Sequence, residues 1–276
     1  MRMKKKNKKF LIVLLVTISF SIIVSAIWLS QLCINRFIIR NLNEAIINND
    51  IEAIEELAET AYNLNERPYF LAMDRVNLPP LHVACRQGNL TAVQILVDHG
   101  ADFNSQNTWN QQTPLISCLV GGTNENRIEI ACFLLDNGAD PKVKDMTGCT
   151  ALDYIPRWVG SGSDKQLVIE QQQLDLAVTL INSGVIPNDN VWFQAAYANN
   201  VSLLDYLINH CDMDVNCIRP SDQYTALICA AELNAIEAVA YLLEHGADKS
   251  HVSCEGKTAY DYAIEKGFTD IVELLK

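Results

Sequence analysis

Acidic side chains are missing from the first 29 residues, and residues 10–29 (FLIVLLVTISFSIIVSAIWL) carry no charge at all. Basic side chains are scarce everywhere else. Arg2, Lys4, Lys5, Lys6, Lys8 and Lys9 take six of the 21, which leaves 15 against 33 acids over the rest of the chain. A body that acidic repels phosphate backbones, so general nucleic-acid binding is excluded and a basic partner is favoured. Catalytic signatures are also missing. Gly256-Lys257-Thr258 resembles the end of a phosphate-binding loop, but His251 stands where the first glycine of that loop belongs. Gly160-Ser161-Gly162 lacks the third glycine of a dinucleotide turn. His82 and Cys85 are spaced to share a helix face, yet no second pair follows at metal-finger spacing. There is no nucleophile-elbow serine, and none of the five histidines sits in a recognisable partner motif. No catalytic, cofactor-binding or metal-binding residue is therefore expected, and the chain is not expected to be an enzyme.

What is present is apolar material: 49% hydrophobic against 20% charged residues, enough for a folded core over 276 residues. Part of it serves another purpose. Twenty uncharged residues at about 1.5 Å each span a hydrocarbon layer of about 30 Å. The lysine cluster on one side should hold residues 1–9 in the cytoplasm. The rest of the chain would then face the periplasm or the cell exterior. Val24-Ser25-Ala26 suits a signal-peptidase site, but Ile27, Trp28 and Leu29 prolong the apolar run beyond the ordinary signal-peptide length. A single-pass inner-membrane anchor is favoured over a cleaved leader. Residues 30–35 then read as a linker, and 36–276 as the folded domain.

That domain repeats itself. One copy reads Pro80-Leu81-His82-Val83-Ala84-Cys85, then Gly88-Asn89, Ala92-Val93, Leu96-Val97 and Gly100-Ala101-Asp102. Another reads Thr225-Ala226-Leu227-Ile228-Cys229-Ala230-Ala231, then Ala238-Val239, Leu242-Leu243 and Gly246-Ala247-Asp248. A further copy holds Thr258-Ala259-Tyr260, Ala263, Gly267 and Ile271-Val272. These residues resemble the ankyrin repeat, whose unit of about 33 residues opens on T-P-L-H-x-A. Anchored on that hallmark leucine, the units fall at Leu42, Leu81, Leu115, Leu152, Trp192, Leu227 and Tyr260, spaced 39, 34, 37, 40, 35 and 33 residues apart. The resemblance implies an all-α solenoid of about seven helix-turn-helix units. The Leu42 copy, with Glu52, Glu55, Glu56 and Glu59, suits a polar end unit.

Local chemistry agrees. Thr113-Pro114 supplies a capping hydroxyl and a first-turn proline, and Thr150, Thr225 and Thr258 repeat the cap. Ala84, Ala195, Ala230 and Ala263 let paired helices approach. Gly100, Gly138, Gly184 and Gly246 sit where a helix ends in a left-handed residue.

Binding positions are expected where the units depart from the consensus and on the surface that ankyrin-type repeats use. The resemblance implies turn tips and the inner helix face: Trp109 and Asn110 on one tip, Met146 on another, and Arg86, Gln87, Tyr197 and Glu232 on first helices. The fourth unit carries about 13 extra residues within Ile155 to Glu170, where Arg157 and Trp158 have the composition of binding anchors. Cys211 and Cys217 are candidates for a small disulfide in an oxidising compartment, with two free thiols as the alternative.

The function that follows is a membrane-tethered protein-binding module facing the periplasm. Its narrower form is an immunity or inhibitor protein that neutralises a secreted, lipase-type toxin. The partner would be a basic protein, held by a monomer or in a one-to-one complex, with the membrane touched only by the N-terminal helix. An envelope scaffold or stress-protective protein with several weak partners is the alternative, and an enzyme the least favoured reading. Repeats lying in a cytosol are a further topological possibility.

Overall fold

The computed structural model describes residues 2–68, 78–120, 126–157 and 163–276; side chains are described from Ser21 onward, except at positions 22, 156–157 and 163–170. Every named element among the described residues is helical, and the only strand-like pairing is an isolated bridge between Arg219 and Tyr224. The chain forms two compact units, Met1–Ala84 with Thr91–Asp102, and Cys85–Leu90 with Phe103–Lys276.

The first unit opens on α1 (Arg2–Asn48), 47 residues without a break. The stretch 30–35, expected as a linker, is therefore helical: it contains neither glycine nor proline and is anchored further along. Ile39, Leu42, Ala45 and Ile46 of α1 are buried against α2 (Ile51–Thr60), whose Ile54 and Ala58 are buried in turn. Asn49 turns the chain with φ +56°, and Asp50 caps α2 by accepting from the Ala53 N–H at 3.2 Å. One segment here, Ile23–Asn48, is long and apolar enough to cross a membrane by length and composition. In its second half Ile39, Leu42, Ala45 and Ile46 are buried in the core, while Phe37 and Ile47 are exposed. In its first half Ile23, Val24, Ile27, Trp28 and Leu29 are exposed. The boundary between the units runs through α3 (Pro80–Gln87) and α4 (Leu90–Asp98).

In the second unit the first helices form one row. These are α5 (Pro114–Val120), a 3-10 helix (Ala151–Arg157), α8 (Asp189–Tyr197), α10 (Ala226–Glu232) and α12 (Ala259–Lys266), each touching the next. The second helices form another row in the same way: α6 (Arg127–Asp136), α7 (Ser163–Asn182), α9 (Val201–Cys211), α11 (Ile236–Glu244) and α13 (Thr269–Leu275). Close approach inside each pair needs small side chains, and Ala195, Ala230 and Ala263 are fully buried there. Their carbonyls accept the N–H of Asn200, Ala235 and Phe268, five residues on, at 2.9 Å each, closing the turn between the two helices.

The caps form as expected at Thr113, Thr225 and Thr258, which accept from Ile116, Ile228 and Asp261; Asp261 returns the bond and completes a capping box. Thr150 behaves differently. Its N–H and hydroxyl both donate to the Asp153 carboxylate (2.8 and 3.0 Å), and the helix that follows is 3-10. Pro156, lacking an N–H, cannot supply an α-helical bond at that point. Part of the fourth unit's extra length is absorbed by α7, which at 20 residues is about twice its counterparts. The second helices end at glycine with the expected left-handed geometry, φ +97° at Gly138 and +88° at Gly184. Where Cys211 replaces that glycine, Asp212 takes the left-handed conformation instead (φ +54°).

Candidate functional site

The tips joining one unit to the next are small hairpins in which an Asn or Asp side chain bonds the backbone of its own turn. In the tip Asn107–Gln112, the Asn107 carboxamide oxygen accepts from the N–H of Trp109 (3.1 Å) and Asn110 (3.0 Å), and the Asn107 N–H donates to the Gln112 carbonyl (2.9 Å). In the next tip, Asp145 Oδ1 accepts from the Thr147 and Cys149 N–H and the Thr147 hydroxyl, while the Asp145 N–H donates to the Cys149 carbonyl. Tyr154 also donates to Asp145, and together these hydrogen bonds hold that carboxyl below its usual range against the opposing effect of burial. The two tips are tied together by the Met146 N–H donating to the Asn110 carbonyl at 2.9 Å.

With the backbone satisfied, what the tips offer outward is apolar. Trp109 is 56% exposed, Met146 62% and Ile186, on the following tip, 86%. Ile218 and Val252 are exposed on the two tips after that. Such side chains, exposed on successive tips, suit contact with another macromolecule.

A repeated stitch positions the tips. Asn104 accepts from the Asp140 N–H (2.8 Å) and donates to the Gly138 carbonyl (3.5 Å). Asn216 does the same with Asp248 (2.9 Å) and Gly246 (3.2 Å). In the first unit, Asn65 accepts from the Asp102 N–H at 2.9 Å.

The expected site residues divide accordingly. Trp109, Asn110 and Met146 are brought together on adjoining tips, with Asn110 half-buried and occupied in holding them. Arg86 is half-buried and Gln87 exposed at the end of α3, and both are already engaged by neighbours. Glu232 is half-buried at the end of α10, close enough to raise the Tyr224 pKa. Arg157 ends the 3-10 helix, and Trp158 lies outside the described residues. Tyr197, expected on the inner face, is half-buried and accepts a hydrogen bond from Arg219 Nη2 at 3.0 Å. Burial, then the neighbouring Cys229, push its pKa well up. Cys211 and Cys217 stand as separate thiols. Cys217 is engaged with Asp189, and burial and that carboxylate push its pKa up to about 11.

Two arrangements had no signal in the sequence. Arg219 is enclosed by aromatic rings, with its guanidinium carbon 5.3, 5.5 and 5.2 Å from the ring centres of Phe193, Tyr197 and Tyr224. The second is a cavity in the first unit, where Trp28, Leu32 and Arg36 of α1 meet Tyr62 and Arg67. Both depend on residues from separate segments that no spacing rule connects. Among the described residues, no three His, Cys, Asp or Glu side chains cluster to hold a metal ion.

Comparison with known proteins agrees with this architecture. A family model for ankyrin repeats, in three copies, matches residues 42–145 and 168–276. Alpha-latrocrustotoxin-Lt1a of Latrodectus tredecimguttatus is 27% identical over 177 residues, 64% of this chain and 9% of that protein. The ADP-ribosylation factor GTPase-activating protein AGD2 of Arabidopsis thaliana is 33% identical over 89 residues, 32% of this chain and 11% of that protein. The chain thus spans about a tenth of either relative. Among solved structures, the human ASB11 ankyrin repeat domain superposes with a TM-score of 0.61 at 18% identity, over 84% of this chain and 96% of that one. A chain from the complex of a predatory endopeptidase of Bdellovibrio bacteriovorus with an immunity protein superposes with a TM-score of 0.52 at 25% identity, over 71% of this chain and 95% of that one. The stacked helix pairs, the stitched tips and a family match covering most of the sequence agree: this chain belongs to the ankyrin-repeat family, a fold of protein-binding scaffolds.

Proposed function

We infer that the protein is a membrane-tethered binding module that holds a basic protein partner on the turn tips of its second unit, and that it does no chemistry of its own. The observation that carries this is the exposed apolar side chain on tip after tip (Trp109, Met146, Ile186), with the backbone N–H of Trp109 and of Met146 already hydrogen-bonded within the tips. The chain beyond residue 29 is strongly acidic, with 33 acids against 15 basic residues, which would speed encounter with a basic surface. Arg86, Gln87, Glu232 and the Arg157–Trp158 segment would contribute polar and peripheral contacts.

The tether is the first part of α1, uncharged over residues 10–29 and preceded by lysines, with the repeats on the periplasmic side. An immunity role fits this placement. The likeness to a chain from an endopeptidase–immunity protein complex supports it. That likeness also favours a peptidase over a lipase-type enzyme as the neutralised toxin.

The test is co-purification of the full chain, in detergent, from envelope extracts, beside the Trp109→Ala/Met146→Ala variant. Native mass spectrometry should show one basic protein bound one-to-one to the parent chain and lost from the variant. Equal recovery by both chains would remove the tips as the binding surface. Several proteins lost together on raising salt would favour the weak-partner scaffold.

A further inference from the structure

The cavity in the first unit, of about 410 Å³, lies where α1 leaves its uncharged run. Trp28 is the penultimate residue of that run, and Leu32, Asn35 and Arg36 follow on the same face of the helix. At about 1.5 Å per residue, those three lie roughly 6–12 Å beyond Trp28 along the axis. The polar layer outside a hydrocarbon core is about 5–7 Å deep on each side. If residues 10–29 span the hydrocarbon, Trp28 stands at its edge and Leu32 in the headgroup layer, with Asn35 and Arg36 at about 9–10 Å beyond the run, at the outer margin of that layer.

The opposite wall is fixed to it. Asn35 is buried and fully used: it accepts from the N–H of Tyr62 (2.8 Å) and Asn63 (3.2 Å), and donates to the Asn63 carbonyl (3.1 Å) and Glu66 Oε2 (2.7 Å). Arg36 Nε adds an ion pair to Glu66 Oε1 at 3.0 Å. The segment Tyr62–Arg67 is thereby clamped to α1 at the same depth.

This clamp also decides the charge of the cavity. Glu66 is neutralised by Arg36 and hydrogen-bonded by Asn35. Arg67, on the wall, has neither ion pair nor hydrogen bond among the described residues. The lining therefore carries one uncompensated positive charge. Its rim is aromatic, with Trp28 63% exposed and Tyr62 83% exposed. Tryptophan and tyrosine favour the membrane–water interface because one end of each ring system is apolar and the other wet.

We propose that this cavity seats the phosphodiester of an anionic phospholipid headgroup, with Arg67 as its charge partner and Trp28 and Tyr62 beside the glycerol and upper acyl chain. A phosphodiester bears a single negative charge, matching the one cation of the lining left unpaired among the described residues. The consequence is orientation. A lipid held here would fix the angle at which the first unit stands off the membrane.

The proposal rests on α1 being the tether, and the experiment separates the two. Carbonate extraction of cells expressing the full chain asks whether it is embedded; release into the soluble fraction would remove the tether and the proposal together. The embedded chain, purified in detergent, is then titrated with phosphatidylglycerol and with phosphatidylcholine, and bound lipid is counted by native mass spectrometry. The parent chain should retain phosphatidylglycerol preferentially, and Arg67→Gln should weaken that retention about tenfold with an unchanged melting curve. Phosphatidylcholine retention should be the same in both. Equal phosphatidylglycerol retention by parent and variant would overturn the assignment while leaving the tether intact. Displacement by an equal concentration of water-soluble glycerophosphoglycerol would also overturn it, since the site would then recognise a free phosphodiester and not a lipid.

Discussion

Arg219 and Asp222, three residues apart, meet in a two-pronged ion pair, with Nε 2.9 Å from Oδ1 and Nη2 2.7 Å from Oδ2. The pair closes the hairpin in which the Arg219 N–H donates to the Tyr224 carbonyl at 2.8 Å. It also fixes the guanidinium between Phe193, Tyr197 and Tyr224. One residue thus joins its own tip to the preceding first helix, α8.

Removing that arginine should be costly for a partly exposed residue. Arg219→Ala deletes a charge-assisted fork, the bond to Tyr197 and the ring contacts, and should destabilise by about 1–3 kcal/mol. Arg219→Lys, which cannot make a planar fork, should recover only part of it. Urea unfolding checks both, and values within about 0.5 kcal/mol of the parent would show the enclosure to be inconsequential.

The same pair carries a pH signature. The Arg219 hydrogen bonds hold the Asp222 carboxyl below its usual range, outweighing the opposing effect of burial. A carboxyl whose folded pKa is depressed contributes stability that is fully present above its unfolded value of about 3.9 and lost as pH falls through the folded value. The parent chain should therefore lose stability below about pH 4 faster than Asp222→Asn, whose curve lacks this contribution. Parallel curves for the two chains would contradict the assignment.

Two tryptophans should separate folding from binding. Trp192 is among the largest fully buried side chains, and Trp192→Ala should cost about 3–5 kcal/mol. Trp109 is exposed on its tip, so Trp109→Ala should change stability by no more than about 0.5 kcal/mol. In partner binding the order reverses, with Trp109→Ala weakening affinity by about 2 kcal/mol or more. Thermal melts and a titration with the purified partner read the two effects apart.

The repeat was legible in the sequence because stacked helix pairs impose a fixed grammar. A threonine starts a helix at Thr225 and Thr258, an alanine lets its partner approach at Ala230 and Ala263, and a glycine ends the second helix at Gly138 and Gly246. Each is a local rule, and each position has the expected geometry. Thr150 departed in that its N–H and hydroxyl both donate to the Asp153 carboxylate. The stretch 30–35, read as a linker, is part of the continuous helix α1, whose later residues Ile39 to Ile46 are held by the core. The site was legible in part. Trp109, Met146 and Asn110 follow from tip positions, but Tyr197 looked available only because Arg219, 22 residues on, had no visible link to it. The cavity beside Trp28 was hidden for the same reason: Asn35 and Glu66 are neighbours through folding alone.

Thiol reactivity should report burial directly. Cys85, Cys118 and Cys229 are buried, and burial pushes the Cys118 and Cys229 thiols up to about 12. Since the thiolate is the reactive form, these should resist maleimide at pH 8, whereas exposed Cys33 and Cys254 react first. After unfolding without reductant, all nine cysteines should label. Seven, with Cys211 and Cys217 missing, would show that the two thiols pair.

The asparagine stitch is the last feature open to a decisive substitution. Asn216 donates to the Gly246 carbonyl and accepts from the Asp248 N–H, so one side chain satisfies groups at the end of the following unit's second helix. Asn216→Ala leaves both without a partner, and at about 0.5–1.5 kcal/mol per bond the loss should be about 1–3 kcal/mol. Asn216→Asp keeps the acceptor but cannot donate, and sets a carboxylate against a carbonyl oxygen, so it should be no better than alanine. Repeat stacks gain stability from each interface with a neighbour, so the loss should appear first as local opening after Asn216. Hydrogen exchange by mass spectrometry should therefore show faster exchange over 236–276 in Asn216→Ala, with 107–150 unchanged. Uniform loss of protection over both segments would mean that the second unit opens only as a whole.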